Sequence, residues 1–84
     1  MNRYLVLLIR RPQLDLAVVP QHLAYLEQLR GGGRVELSGG FGDGSGGAYL
    51  LRAADLAEAT ALVHGDPAHL SGGWDITLHE WRAH

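Results

Sequence analysis

Residues 3–10, Arg-Tyr-Leu-Val-Leu-Leu-Ile-Arg, set Tyr4, Val6 and Leu8 on one side of an extended chain and Leu5, Leu7 and Ile9 on the other. Both sides are apolar, the pattern of a strand covered on both faces. A chain of 84 residues has too few helices to cover both, so one face is expected to meet a second subunit. The period then changes. Pro20 is placed to open a helix in which Leu23, Leu26 and Leu29 recur at helical spacing until Gly31-Gly32-Gly33 stops them. Arg34 to Ser38 alternates like a half-buried strand. The glycine-rich run Gly39–Gly47 reads as a flexible hairpin, and Ala48 to Arg52 as the returning strand. Asp55 and Glu58 have capping-box spacing at the head of a second helix striped by Leu56, Ala59, Leu62 and Val63, which should end near Gly65. Asp66-Pro67 reads as the cap and first position of another short turn, and Trp74 to Trp81 as an alternating final strand.

The order β-α-β-β-α-β predicts an α+β, ferredoxin-like domain spanning residues 1–84, with a four-stranded antiparallel sheet that dimerises through its sheet face. Right-handed crossovers make strands one and two parallel in direction, and strands three and four likewise, with the two pairs opposed. The start of helix one, the hairpin and the end of helix two then share one edge of the sheet. His22, the Gly39–Gly47 loop and Asp66 are expected to converge there.

Composition narrows the function classes. A hydrophobic fraction of 46% and a charged fraction of 19% are ordinary for a globular domain, and no apolar run is long enough to span a membrane. The five aliphatic residues after Met1-Asn2-Arg3-Tyr4 make a poor secretory signal, which sets a cytoplasmic location as the expectation. The absence of cysteine excludes disulfides, thiolate metal sites and thiol nucleophiles. A formal charge of −2, with all seven cations arginine, leaves no basic face suited to nucleic acid.

The candidate chemistry centres on His22 and Asp66. Leu26 and Leu29, four and seven residues after His22, are apolar and turn the imidazole toward the sheet. A helix N-terminus disfavours an imidazolium and a carboxylate neighbour favours it, so the two influences on His22 oppose each other. Asp66, bonded to one ring nitrogen, would fix the tautomer and free the other nitrogen to take a proton. The same aspartate, directly before proline, is also a good helix cap.

The run Gly42-Asp43-Gly44-Ser45-Gly46-Gly47 has G-x-G-x-x-G spacing, but it precedes a strand instead of a helix and so does not support dinucleotide binding. Its alternative use is a lid in which Gly44, Ser45 and Gly46 close over a small ligand. Arg10, at the end of strand one, is a candidate anion contact. His64 and His69 lack a recognised metal-ligand spacing, so neither a metal nor another cofactor is expected. Trp74 and Trp81 fall on opposite faces of the last strand, one expected in the core and the other at an interface or pocket wall.

Taken in order, the aliphatic strand Tyr4 to Ile9, Pro20-Gln21-His22-Leu23-Ala24-Tyr25-Leu26, Asp43-Gly44-Ser45-Gly46-Gly47, the helix Asp55 to Val63 and Gly65-Asp66-Pro67 resemble the YCII-related proteins of the dimeric α/β-barrel superfamily. The resemblance covers nearly the whole chain. It implies a homodimer with a small-molecule pocket between helices, sheet and hairpin, and a His-Asp pair at His22 and Asp66. It also implies chemistry like that of the family's dehydrochlorinase of hydroxylated aromatics, or of the muconolactone isomerases in the wider superfamily. The expected activity is a cofactor-independent lyase or isomerase that moves a proton on a small, polar, cyclic substrate. The alternative is a ligand-binding or assembly module without catalysis. The chain departs from the family in having Gly40 where a proline often stands, and in a short linker after strand one.

Overall fold

The alternation at the N-terminus builds β1, Asn2–Arg10, the inner strand of a sheet ordered β2-β3-β1-β4. The computed structural model describes residues 1–84. Its remaining elements are α1 (Val18–Gly31), β2 (Val35–Gly40), β3 (Gly46–Ala53), α2 (Leu56–His64), α3 (Pro67–Ser71) and β4 (Trp74–Glu80). Every neighbouring pair of strands is antiparallel. Tyr4, Val6 and Leu8 pack with Tyr49 and Leu51 of β3 against Leu26 of α1, Ala59 and Val63 of α2 and Ala68 of α3. This single layer of helices covers one face of the sheet. Each fully buried aliphatic side chain in it contributes about 1.5–3 kcal/mol.

The other face stays open, as the two-sided pattern of β1 anticipates. Leu5 and Leu7 are half-buried there, while Ile9, Leu37 and Trp81 are 43%, 68% and 48% exposed. Of the two tryptophans, Trp74 joins the core and Trp81 follows β4 onto the open side.

Three local features differ from the sequence expectation. Helix α1 begins at Val18, so Pro20 is its third residue and not its first. The chain is already turned by Asp15, whose carboxylate accepts the Ala17 N–H at 3.0 Å. Proline is tolerated at this third position because the first helical N–H groups have no intrahelical acceptor to lose. His22 consequently lies past the first turn, where the helix-terminal field has faded.

The second difference is a bulge. Val35 stands opposite Leu51 and Leu37 opposite Leu50, two residues of β2 against one step of β3. Val35 and Leu37, which simple alternation puts on one side, therefore face opposite sides of the sheet. Glu36 at the bulge meets Arg3 at 3.0 Å and Arg52 at 3.5 Å.

The third is the hairpin. The strands continue through Gly40 and resume at Gly46, so the turn is confined to residues 41–45. It is closed by Phe41 N–H to the Gly46 carbonyl at 2.8 Å and Gly44 N–H to the Phe41 carbonyl at 3.0 Å, with Gly44 at φ +77°.

The capping-box residues open α2 as expected. Asp55 accepts the Glu58 N–H at 2.8 Å, while the Glu58 carboxylate reaches one residue further back, to the Ala54 N–H at 3.1 Å.

Candidate functional site

Two short-range signals place the central pair. Helix α1 carries His22 one turn before the buried Leu26, so its ring points toward the sheet. Asp66 begins α3, and its side-chain oxygen accepts the Ala68 N–H at 2.9 Å while Pro67 takes the first helical position. Packing of α1 against α3 brings the two residues together across 44 positions of sequence. His22 Nδ1 lies 2.7 Å from Asp66 Oδ2 and 2.9 Å from Oδ1. The Asp66 residue is 0% exposed and the His22 side chain 12%.

An ionised carboxylate only accepts, so Nδ1 carries the ring proton and donates it to Asp66. In the neutral ring Nε2 then holds the lone pair; it makes no hydrogen bond within the chain and is not sealed from solvent. Trp74 and Tyr49 hold the imidazole from the sides, with ring centroids 5.9 and 6.3 Å away.

The Asp66 charge is also felt by two phenols. Burial chiefly, and Asp66 next, raise the pKa of Tyr25. Burial, then Asp66, then Tyr25 raise that of Tyr49 far above the ordinary tyrosine range. Both hydroxyls stay protonated around the site. Tyr25, three residues after His22, donates to the Leu62 carbonyl at 2.7 Å and so ties α1 to the end of α2, where a helix has carbonyls to spare. A Cβ at Gly65 would fall 2.8 Å from the Tyr25 hydroxyl, so this glycine makes room for the tie.

His22 opens onto a cavity of about 250 Å³. Leu8, Leu23, Leu26 and Trp74 give it apolar walls, and Gly40 and Gly47, paired across the β2–β3 ladder, leave part of its wall as bare backbone. Arg10 stands at the same cavity, beside Trp74 in the β1–β4 register. Ser38 also lines it, its hydroxyl accepting from Arg30 at 2.5 Å.

The residues singled out in the sequence therefore divide. His22, Arg10 and Gly46 line one cavity, and Asp66 stands behind His22 without lining it. Gly44 and Ser45 lie at the hairpin tip, outside the lining. Ser45 is engaged in the turn itself: its hydroxyl and N–H hold the Asp43 carboxyl below the usual carboxylate range, and its carbonyl accepts the Arg10 N–H at 2.9 Å. His64 and His69 stack on each other with centroids 4.3 Å apart, away from His22, and no group of three or more metal-binding side chains is present. Sequence reading missed Tyr25, Ser38 and the Gly40/Gly47 pair. Tyr25 had one visible signal, a polar aromatic one turn after the candidate histidine.

The same architecture occurs in a solved structure. That of 5-chloro-2-hydroxyhydroquinone dehydrochlorinase from Burkholderia phenoliruptrix, in complex with 2,5-dihydroxybenzoquinone, matches with a TM-score of 0.80 over 98% of this chain and 95% of that one. At 23% identity the likeness is one of fold. No helix here is long and apolar enough to cross a membrane. In sequence, the uncharacterized protein YjpA of Bacillus subtilis is 35% identical over 82 residues, which cover 98% of this chain and 96% of that protein. The family model of the YCII-related domain matches residues 2–82, taking in both His22 and Asp66. With that match, and a relative alike from end to end, the chain belongs to the YCII-related family.

Proposed function

We propose that the protein is a cofactor-independent lyase or isomerase in which His22 Nε2 removes a proton from a small, oxygenated cyclic substrate. The observation that carries this reading is the pairing of Nδ1 with buried Asp66 while Nε2 stays free at a cavity. A general base needs that arrangement: one nitrogen fixed, the other unpartnered and within reach of the substrate. In the reaction, a C–H or O–H proton passes to Nε2, and the electron pair left behind moves into the ring system. As a lyase, that pair expels a leaving group with its own bonding electrons. As an isomerase, His22 returns the proton at a different carbon. Asp66 offsets the charge of the imidazolium formed between the two steps. The dehydrochlorinase that shares the fold acts on a chlorinated hydroxyhydroquinone, which supports hydroxylated or halogenated rings as the first substrates to try. Gly46 contributes backbone to the cavity wall, and Gly44 and Ser45 take part if the hairpin tip closes over the bound molecule.

Screening such rings with the parent, His22→Gln and Asp66→Asn tests the reading. Turnover in the parent should fall by about 10²–10⁴ in both variants. Turnover that survives in both rejects His22 as the base, and saturable binding without turnover in the parent favours a binding module.

The reading includes a cytoplasmic homodimer closed through the open sheet face. Leu5, Leu7, Ile9, Leu37 and Trp81 make that face apolar, which supports burial against a second copy. Light scattering at micromolar concentration should give twice the chain mass, and Leu7→Arg should halve it. A stable monomer in the parent overturns the dimer.

A further inference from the structure

Of the seven arginines, Arg10 alone has no carboxylate partner, and it is the one that lines the cavity with His22. Arg10 is exposed at the edge of the cavity, and its guanidinium makes no hydrogen bond or ion pair within the chain, which leaves it open to an anionic group on a ligand.

The second observation is Gly40. Two glycines face each other across the ladder at the cavity wall, for different reasons. A Cβ at Gly47 would fall 2.5 Å from the Gly39 carbonyl oxygen, so the fold itself requires a glycine there. Gly40 has no positive φ, and a Cβ there would meet only the Gly46 carbonyl oxygen, at an ordinary 3.7 Å. The backbone would accept a side chain at Gly40. Opposite Gly47, on the helix side of the sheet, that side chain would occupy the cavity.

We propose that the cavity binds a planar organic anion of single-ring size, its ring against the bare backbone of Gly40 and Gly47 and its charged oxygen on the Arg10 guanidinium, with Gly40 setting the size limit. The proposal rests on the proton-transfer reading of the same site and adds to it the charge and shape of the substrate. The cavity, at about 250 Å³, lies just below the range of about 300–1,000 Å³ typical of drug-sized ligands, which fits one ring. An anion anchored here also gains stabilisation as a proton leaves it, because the added negative charge develops near the Arg10 cation.

Benzoate and benzamide, alike in shape and different in charge, are the probes, with binding read by titration calorimetry and by Trp74 fluorescence in a Trp81→Phe background. The parent should bind benzoate at least about tenfold tighter than benzamide. Arg10→Gln should erase that difference by weakening benzoate alone. Gly40→Val should weaken both probes at least about tenfold while leaving the thermal midpoint unchanged. If Gly40→Val does not fold, Gly40→Ala, whose Cβ has room, should show a smaller loss in the same direction. The proposal is overturned by equal binding of the two probes, by no saturable benzoate binding, or by benzoate affinity that survives Arg10→Gln. Affinity for both probes unchanged in the folded Gly40 variants would also overturn it. His22→Gln separates the two readings. If it keeps benzoate binding and parental turnover, the base assignment fails and the anion site stands. If it abolishes turnover while Arg10→Gln binds benzoate normally, the anion site fails and the base stands.

Discussion

Replacing Asp66 by asparagine changes the site by one atom, and the geometry says what that atom does. Oδ1 of Asp66 serves the Ala68 N–H at 2.9 Å and lies 2.9 Å from His22 Nδ1, whereas Oδ2 lies 2.7 Å from the same ring nitrogen. An asparagine with its carbonyl at Oδ1 keeps the cap, since Asn and Asp are equivalent N-cap residues. The opposite amide orientation would set N–H against the Ala68 N–H. Nδ2 therefore occupies the Oδ2 position and donates to Nδ1, which can accept only if the ring proton moves to Nε2. The nitrogen facing the cavity becomes a donor. All buried polar atoms remain satisfied, so Asp66→Asn should cost about 1 kcal/mol, the margin of a charge-assisted over a neutral hydrogen bond. Asp66→Ala removes the cap, about 1 kcal/mol, and orphans the Nδ1–H, about 1–3 kcal/mol. Its total should be about 2–4 kcal/mol. Urea unfolding measures the stabilities, and long-range proton–nitrogen correlation spectra of the imidazole show which nitrogen is protonated. Equal destabilisation by Asn and Ala, or an Asn variant whose ring keeps its proton on Nδ1, would refute this account of the pair.

Three further outcomes follow from the environment of the site. Tyr49 has a phenol pKa raised by burial first and by Asp66 and Tyr25 next, so the fold favours its neutral form; that stability is complete below the ordinary value of 10.0 and is lost as pH rises above it. Tyr49→Phe should flatten the alkaline fall of the thermal midpoint above about pH 10, and an unchanged fall there refutes the assignment. Glu58 has the reverse sign: the Arg34 guanidinium foremost, then the Ala54 N–H, lower its pKa, so its contribution is present above 4.5 and disappears as pH falls through the lowered value. Glu58→Gln should make the acid limb of stability shallower, read by circular dichroism as pH is lowered from about 7 to about 2. Gly65→Ala should cost about 1–3 kcal/mol by driving a methyl group into the Tyr25 hydroxyl. The cost should shrink in a Tyr25→Phe background, and a double-mutant cycle without coupling would contradict that contact.

The meeting of His22 and Asp66 was legible because it depends on element order and handedness, and those follow from strand and helix periods alone. The dual use of Asp66 was legible too, since an aspartate before proline announces a cap wherever it stands. Helix α1 was misplaced by two residues because its first turn is organised by the Asp15 side chain, while proline, the louder signal, is tolerated further in. The cavity wall was hidden for a different reason. The bulge at Glu36 shifts β2 by one residue relative to simple alternation, and this shift turns Ser38 and Gly40 toward the helices and Leu37 away from them. Nothing in Arg-Val-Glu-Leu-Ser shows where a strand will slip. Tyr25 itself shows as a polar aromatic one turn after His22, but its bond to the Leu62 carbonyl spans 37 positions, so the identity of its partner has no local signal.

Helix α3 is only five residues long, too short to persist on its own hydrogen bonds, and it is held by the Asp66 cap and the buried Ala68. The orientation of the imidazole therefore lasts only while this one turn stays docked. A small segment of this kind can open without the sheet, in an excursion well short of global unfolding. Amide exchange at Ala68, whose N–H bonds to Asp66, should therefore outpace that of the paired β1 and β3 amides, and its rate should set an upper limit on how often the histidine loses its anchor.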